Sequence, residues 1–158
     1  MEKKERRFYI LIAFVALLGV VNAGYLAWSA AIGDAPTCFL NSGCDVVAAS
    51  PYSRFMGIPL ATFGVFFYAM LTGFAVWKLF IHEALALRFM LPLASMGFIL
   101  SLYFLYLQAF VIHAYCEFCL FSLFDATLIF LTTLFLWRKR RRQGMMELNV
   151  SSDTHGIL

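Results

Sequence analysis

Four cysteines hold the chemistry available to this 158-residue chain, and they come as two close pairs. Cys38 and Cys44 are spaced Cys-x5-Cys within Thr37-Cys38-Phe39-Leu40-Asn41-Ser42-Gly43-Cys44-Asp45, and Cys116 and Cys119 form Cys-Glu-Phe-Cys. An even count in two short-range pairs is the pattern of disulfide chemistry. At a helix start, the first cysteine of Cys-x-x-Cys meets unpaired backbone N–H groups and the positive dipole end, both of which favour a thiolate. The second lies one turn further in on nearly the same face, so the two sulfurs can close a small ring or open it and thereby hold or release two electrons. Helical rise sets Cys119 roughly 4–5 Å deeper than Cys116, at an edge that a lipid-soluble electron carrier can reach. Thiol pairs have other uses: a structural staple, a zinc site built from all four sulfurs, or a soft-metal carrier. A ring inside a helix staples poorly, a zinc site would draw half its ligands from a membrane helix, and a carrier should also present thiols on the opposite face. The spacing therefore favours a redox relay, with a disulfide-stapled or soft-metal-binding membrane protein as the alternative; no dedicated metal site is expected.

The elements that must position these pairs follow from composition. Hydrophobic residues make up 63% of the chain and charged ones 13%, with mean hydropathy +0.83. A soluble domain is about 45–50% apolar, and a chain this short cannot bury such an excess in one core. A soluble enzyme, a disordered tail and a nucleic-acid-binding module are excluded. Four stretches reach the about 20 apolar residues a span requires: Phe8 to Ala30, about Pro59 to Phe80, about Leu85 to Ile112 (interrupted by Arg88 and Pro92), and Cys116 to Trp137. The first is preceded by Lys3, Lys4, Arg6 and Arg7, as a signal peptide would be, but its apolar run is too long and three more spans follow. The expected fold is an all-α integral membrane protein, a four-transmembrane-helix bundle with one long outer loop from Ala31 to Ile58. Residues 1–142 form the membrane domain, and residues 143–158 a polar cytoplasmic tail without order.

The positive-inside rule orients the bundle. With both termini cytoplasmic, eleven of the twelve Lys and Arg lie inside and Arg54 alone lies outside. The run Arg138-Lys139-Arg140-Arg141-Arg142 then anchors the last helix and attracts anionic lipid; it has no adjoining fold to present it to nucleic acid. The expected location is the cell (inner) membrane, multi-pass, with all four cysteines on the outer face, where disulfides persist.

These motifs resemble the vitamin K epoxide reductase family, most closely its bacterial and archaeal homologues. The matching residues are Cys38-x5-Cys44-Asp45, then Ser50 and Tyr52, then Gly57-Ile58-Pro59-Leu60-Ala61-x-x-Gly64, then Tyr68, and finally Cys116-x-x-Cys119. DsbB-type quinone reductases also have four spans and two cysteine pairs, but place Cys-x-x-Cys in the first outer loop; here the order is reversed. The resemblance implies a quinone-dependent thiol–disulfide oxidoreductase with catalytic Cys38, Cys44, Cys116 and Cys119. It implies that Cys119 faces the quinone, that Cys116 exchanges with Cys44, and that Cys38 meets a thioredoxin-like partner. Ser50 matches the family's Ser/Thr near the catalytic cysteines, a hydroxyl donor to them or to the quinone; as a residue it also reads as an N-cap for a short helix over the mouth. The substrate would be ubiquinone or menaquinone, and the partner a separate extracytoplasmic DsbA-like protein, because no fused thioredoxin-like domain is present. Vertebrate members carry an Asn where this chain has Leu60 and a Tyr where it has Leu123, both of which help hold vitamin K there; their absence favours simple quinone reduction over epoxide reduction.

Three further polar residues have a reading. His113, three residues before Cys116, can donate to a quinone oxygen or stabilise a thiolate, or can simply be wetted at the interface. Asp125 is the one acid deep inside a span, but six residues past Cys119 it lies about 240° round the helix from that sulfur. It is expected to hydrogen-bond a neighbouring helix through Asn22 or Gln108. Glu117 is expected to face the headgroups.

Overall fold

A computed structural model describes residues 3–38, 43–81 and 85–155. Residues 39–42 between the first two cysteines, residues 82–84 and residues 156–158 of the expected tail lie outside the described residues. In chain order the elements are α1 (Lys3–Ile32), α2 (Cys44–Ala49), a 3-10 turn (Pro51–Ser53), β1 (Arg54–Phe55), β2 (Ile58–Pro59), α3 (Leu60–Ile81), α4 (Leu85–Tyr106), a π-helical stretch (Leu107–Ile112) and α5 (Glu117–His155). Four segments are long and apolar enough to cross a membrane: Glu5–Ile32, Leu60–Phe80, Leu87–Ile112 and Glu117–Gln143. Away from water each such run must satisfy its own backbone polar groups, and the helix does so within one segment. The protein is an all-α membrane bundle, as its composition requires.

The four long helices pack in a ring, α1 against α3 and α5, and α4 against the same two. Each turns a narrow stripe inward at helical spacing: Ile12, Ala16 and Ala23 on α1, Tyr68, Leu71 and Ala75 on α3, Leu87, Met90 and Ala94 on α4, Ile129 and Leu136 on α5. Bulky apolar residues cover the outside, among them Phe14, Phe66, Ile99 and Phe124, which is the inversion a lipid solvent permits. α4 continues through Pro92, which membrane helices tolerate.

Both ends of the chain are more helical than expected. α1 starts at Lys3 rather than Phe8, because Lys, Glu and Arg are good helix formers and Glu5 in the first turn suits the dipole. Glu5 also reaches Lys139 at 3.5 Å and Arg140 at 3.7 Å, tying the two ends together. α5 continues past Gln143 to His155, where a tail without order is expected. That stretch holds no proline to interrupt the i to i−4 bonds. The long loop between α1 and α3 is likewise built rather than open, with α2, the 3-10 turn and a small hairpin pairing Phe55 with Ile58. Its two turn residues, Met56 (φ 52°) and Gly57 (φ 84°), both take the left-handed conformation a two-residue hairpin requires.

Candidate redox site

Both cysteine pairs come to one end of the bundle. Cys38 and Cys44 form a disulfide with Cα atoms 5.8 Å apart, while Cys116 and Cys119 are free thiols. Cys44 opens α2 and is buried, at 1% exposure. The residue before it, Gly43, lies directly on the main chain of Tyr115: a Cβ there would stand 2.5 Å from the Tyr115 carbonyl oxygen. Only glycine permits that approach, and it brings the head of α2 against the residue preceding Cys116. A groove of about 290 Å³ lined by Ala35, Pro36, Thr37, Cys38, Cys44 and Asp45 opens beside the disulfide.

Cys116 is the N-cap residue of α5: its carbonyl accepts the first helical bond, from the Leu120 N–H at 3.1 Å. It is 2% exposed. Its sulfur accepts from the Cys119 thiol and from the backbone N–H groups of Cys119 and Phe118. The Cys119 thiol is the largest influence, and together these hold the Cys116 thiol below its ordinary range against burial and the charge of Glu117. Such capping satisfies donors that the first turn of any helix leaves unpaired. The Cys116 N–H has its own acceptor, the Gln108 Oε1 at 2.7 Å. Gln108 sits in the π-helical stretch, where the extra residue per turn turns it inward to 2% exposure. That stretch ends at His113, a non-glycine residue in the left-handed conformation (φ 56°), from which the chain reverses into α5.

The other helices hold the first turns of α5 as well. Asn22 of α1 donates to the Phe118 carbonyl at 3.1 Å and to the Ser122 hydroxyl at 2.9 Å. The Tyr68 hydroxyl of α3 donates to the Ser122 carbonyl at 3.0 Å. Tyr68 reaches across because its ring lies flat against Gly19, where a Cβ would stand 2.5 Å from the ring edge. Each of α1, α3 and the extension of α4 thus contributes one polar side chain to the turns carrying Cys116 and Cys119.

The remaining sequence expectations fall out unevenly. Ser50 closes α2 and precedes the 3-10 turn, but its hydroxyl donates back to the Val47 carbonyl at 2.7 Å instead of capping that turn. His113 is exposed at the rim. Asp125 is buried as expected for a core-facing acid, but its expected partners are engaged elsewhere, Asn22 on Phe118 and Ser122 and Gln108 on Cys116. Its Oδ2 has no hydrogen-bond partner among the described residues. A carboxylate oxygen of Glu117, the residue expected to face the headgroups, lies within 4.8 Å of the Cys38 and Cys44 sulfurs. It stands half-buried beside the outer disulfide because the Gly43–Tyr115 contact brings α2 over the start of α5. As the two sulfurs are bonded to each other, that trio offers a metal no thiolate in this state. Gln108, Asn22 and Glu117 belong to the site although cysteine spacing does not point to them. For the first two the signal is an amide inside an apolar span, which is functional by default.

The arrangement can pass electrons by thiol exchange: an accessible disulfide, a second pair with an activated thiol next to it, and a membrane helix behind. A family model described as the vitamin K epoxide reductase family matches residues 10–134, which takes in all four cysteines and all or most of each span.

Proposed function

The chain belongs to the vitamin K epoxide reductase family and is a membrane thiol–disulfide oxidoreductase; from that premise we propose that it oxidises a separate thioredoxin-like, DsbA-like partner outside the cytoplasm and passes the electrons to a quinone in the membrane. The observation that carries this reading is the asymmetry within one mouth: a disulfide beside an open groove, and two free thiols at the head of a spanning helix.

The groove next to Cys38 suits a partner's extended active-site segment. The partner thiolate attacks Cys38, forming a mixed disulfide and freeing Cys44. Cys44, released as a thiolate, attacks oxidised Cys116, and Cys119 leaves as a thiolate. The partner's second thiolate then attacks the partner sulfur of the mixed disulfide, which releases the oxidised partner and frees Cys38 as a thiolate. Cys38 resolves the Cys44–Cys116 bond, restoring the Cys38–Cys44 disulfide and leaving the inner pair reduced. That is the redox state described above, ready to reduce a quinone to a quinol and close the cycle. The hydrogen bonds to the Cys116 sulfur favour it as a leaving group. Cys119, one turn into the span, faces the quinone, with Ser50 and His113 as rim residues near its head group. Ubiquinone and menaquinone both fit the chemistry. Both termini are cytoplasmic, consistent with the basic residues gathered at the far end of the bundle, and the membrane is the cell's inner one.

The test is quinone reduction by the detergent-solubilised protein, with a small dithiol as donor and ubiquinone and menaquinone analogues as acceptors. Turnover that disappears in Cys119→Ala supports the assignment. Turnover that survives in Cys119→Ala and in Cys44→Ala would refute the relay, and metal retention by the reduced protein without quinone dependence would favour the soft-metal alternative.

A further inference from the structure

Cys116 and Cys119 are already reduced in this structure while Cys38 and Cys44 are bonded. A dithiol that opens the outer bond in this state therefore meets no inner disulfide to pass electrons to. One of its thiolates attacks Cys38 and frees Cys44. Its second thiolate then attacks the dithiol's own sulfur in the mixed disulfide and frees Cys38. The dithiol leaves as a disulfide, two electrons have passed, and the outer sulfurs stand unbonded beside Glu117.

We propose that reduction of the outer disulfide opens a three-ligand site for a divalent cation of the zinc class, held by the Cys38 and Cys44 sulfurs and a carboxylate oxygen of Glu117. These three ligand atoms already lie within 4.8 Å of one another in the oxidised pair. Tetrahedral zinc, with Zn–S about 2.3 Å and Zn–O about 2.0–2.2 Å, sets two sulfurs about 3.8 Å apart and a sulfur and an oxygen about 3.6 Å apart. From the ordinary S–S length the sulfurs need to part by about 1.7 Å, and the carboxylate oxygen to approach by about 1 Å. Side-chain rotation about Cα atoms 5.8 Å apart supplies that movement. Two thiolates and one carboxylate are donors that zinc accepts, and water takes the fourth position. The step balances: two S–H bonds break, two protons go to water, and two S–Zn bonds and one O–Zn bond form.

The surroundings suit a cation. The groove of about 290 Å³ reaches both sulfurs, gives the ion a way in, and is lined by Asp45. The loop between α1 and α3 carries Asp34 and Asp45 against Arg54 alone, and Glu117 adds a third negative charge to the same mouth, a field that gathers cations. The Gly43–Tyr115 contact keeps α2 on the head of α5, so the third ligand comes from a different element than the two sulfurs. Cys116 and Cys119 have no third ligand atom at that range among the described residues. The site thus differs from a zinc centre built on four sulfurs, because it draws nothing from the inner pair. A bound ion closes both outer sulfurs to attack and to re-oxidation. It acts as a brake that engages when dithiols arrive faster than a quinone removes electrons. The brake rests on the relay proposed above, whereas the site itself needs only a reducible outer disulfide.

The test is binding, with neither quinone nor partner present. A detergent-solubilised Cys116→Ser/Cys119→Ser variant, reduced with a phosphine, is titrated with Co²⁺ and then with Zn²⁺. We expect one cobalt ion per chain, with a thiolate-to-metal charge-transfer band and the strong visible bands of a tetrahedral ion. Zinc should bleach them, since it stands above cobalt in the stability order in which copper leads. The oxidised variant should show no such bands. Adding Glu117→Ala should weaken zinc binding at least about tenfold, because even groups that only support a ligand cost about 10- to 100-fold. In the reduced wild-type chain, zinc should slow alkylation of Cys38 and Cys44, located by peptide mass, and leave Cys116 and Cys119 at their zinc-free rates. Absence of cobalt bands in the reduced variant overturns the inference, as does zinc binding undiminished by Glu117→Ala, or protection of the inner pair in place of the outer one. Failure here leaves the relay standing, and failure of the quinone assay leaves the binding result untouched.

Discussion

Replacing Gln108 by Leu tests whether the π-helical stretch sets the geometry of the inner thiols. The side chains are close in volume, so the bundle keeps its packing and loses one acceptor. That acceptor receives the Cys116 N–H at 2.7 Å in a buried setting. As the N-cap residue, Cys116 has no helical partner for that N–H. A buried donor left unpaired costs about 1–3 kcal/mol. The cost falls on the conformation that holds Cys116 at the head of α5, so its population relative to displaced alternatives should drop about 5- to 150-fold. Two measurements follow it: the detergent-solubilised variant's thermal midpoint, and its rate of dithiol-driven turnover. Both should fall, turnover more steeply. Gln108→Glu separates geometry from charge, since it keeps the acceptor but adds a negative charge beside the Cys116 sulfur. That charge disfavours the thiolate and raises the Cys116 pKa, so the Glu variant should be slow near neutral pH and recover as pH rises, while the Leu variant should not recover. A Leu variant with wild-type midpoint and turnover would refute the reasoning, because it would mean the Cys116 N–H finds an equal partner elsewhere.

Two further substitutions probe neighbouring features. Gly43→Ala sets a Cβ 2.5 Å from the Tyr115 carbonyl oxygen, so the head of α2 must move off α5; misplacement on the order of 1 Å can cost about 100-fold in a reaction rate. Dithiol-driven quinone reduction should slow accordingly while the Cys38–Cys44 disulfide still forms, and unchanged turnover would show that the contact does not set the approach. Asp125→Asn removes the charge at a buried oxygen without a partner, a cost of about 1–3 kcal/mol or more for any such polar group. It should raise the thermal midpoint or leave it unchanged with turnover retained, whereas lost turnover would bring Asp125 into the reaction.

How far the sequence reaches differs from residue to residue. The four spans are legible because a run of about 20 apolar residues has one use in a chain this short. Their ends are not, because a helix can continue beyond the apolar run where no proline interrupts it: Lys3 and His155 both lie in helices that hydropathy would have ended sooner. The inward stripe of α5 shows why Asp125 turns away from Cys119 and into the core, since a helical wheel gives that direction from spacing alone. It does not name the partners, because those depend on which helices stand beside α5 and at what height. The two amides expected to serve Asp125 both lie near the cysteines and hold the first turns of α5 instead.

By itself, the sequence determined a four-span membrane bundle and two cysteine pairs of the right spacing for thiol exchange. These follow from hydropathy and from the separation of neighbours along one chain, quantities that need no tertiary contact. Only the tertiary structure decided what surrounds the sulfurs: the Gln108 acceptor for Cys116, the Asn22 and Tyr68 bonds into α5, and Glu117 turned to the outer disulfide. Those contacts join residues up to about a hundred positions apart, and they arise where the Gly43–Tyr115 approach and the π-helical turn set the outer loop over the end of the bundle. Spacing in one segment carries no information about such a meeting, because it depends on how the separate segments pack.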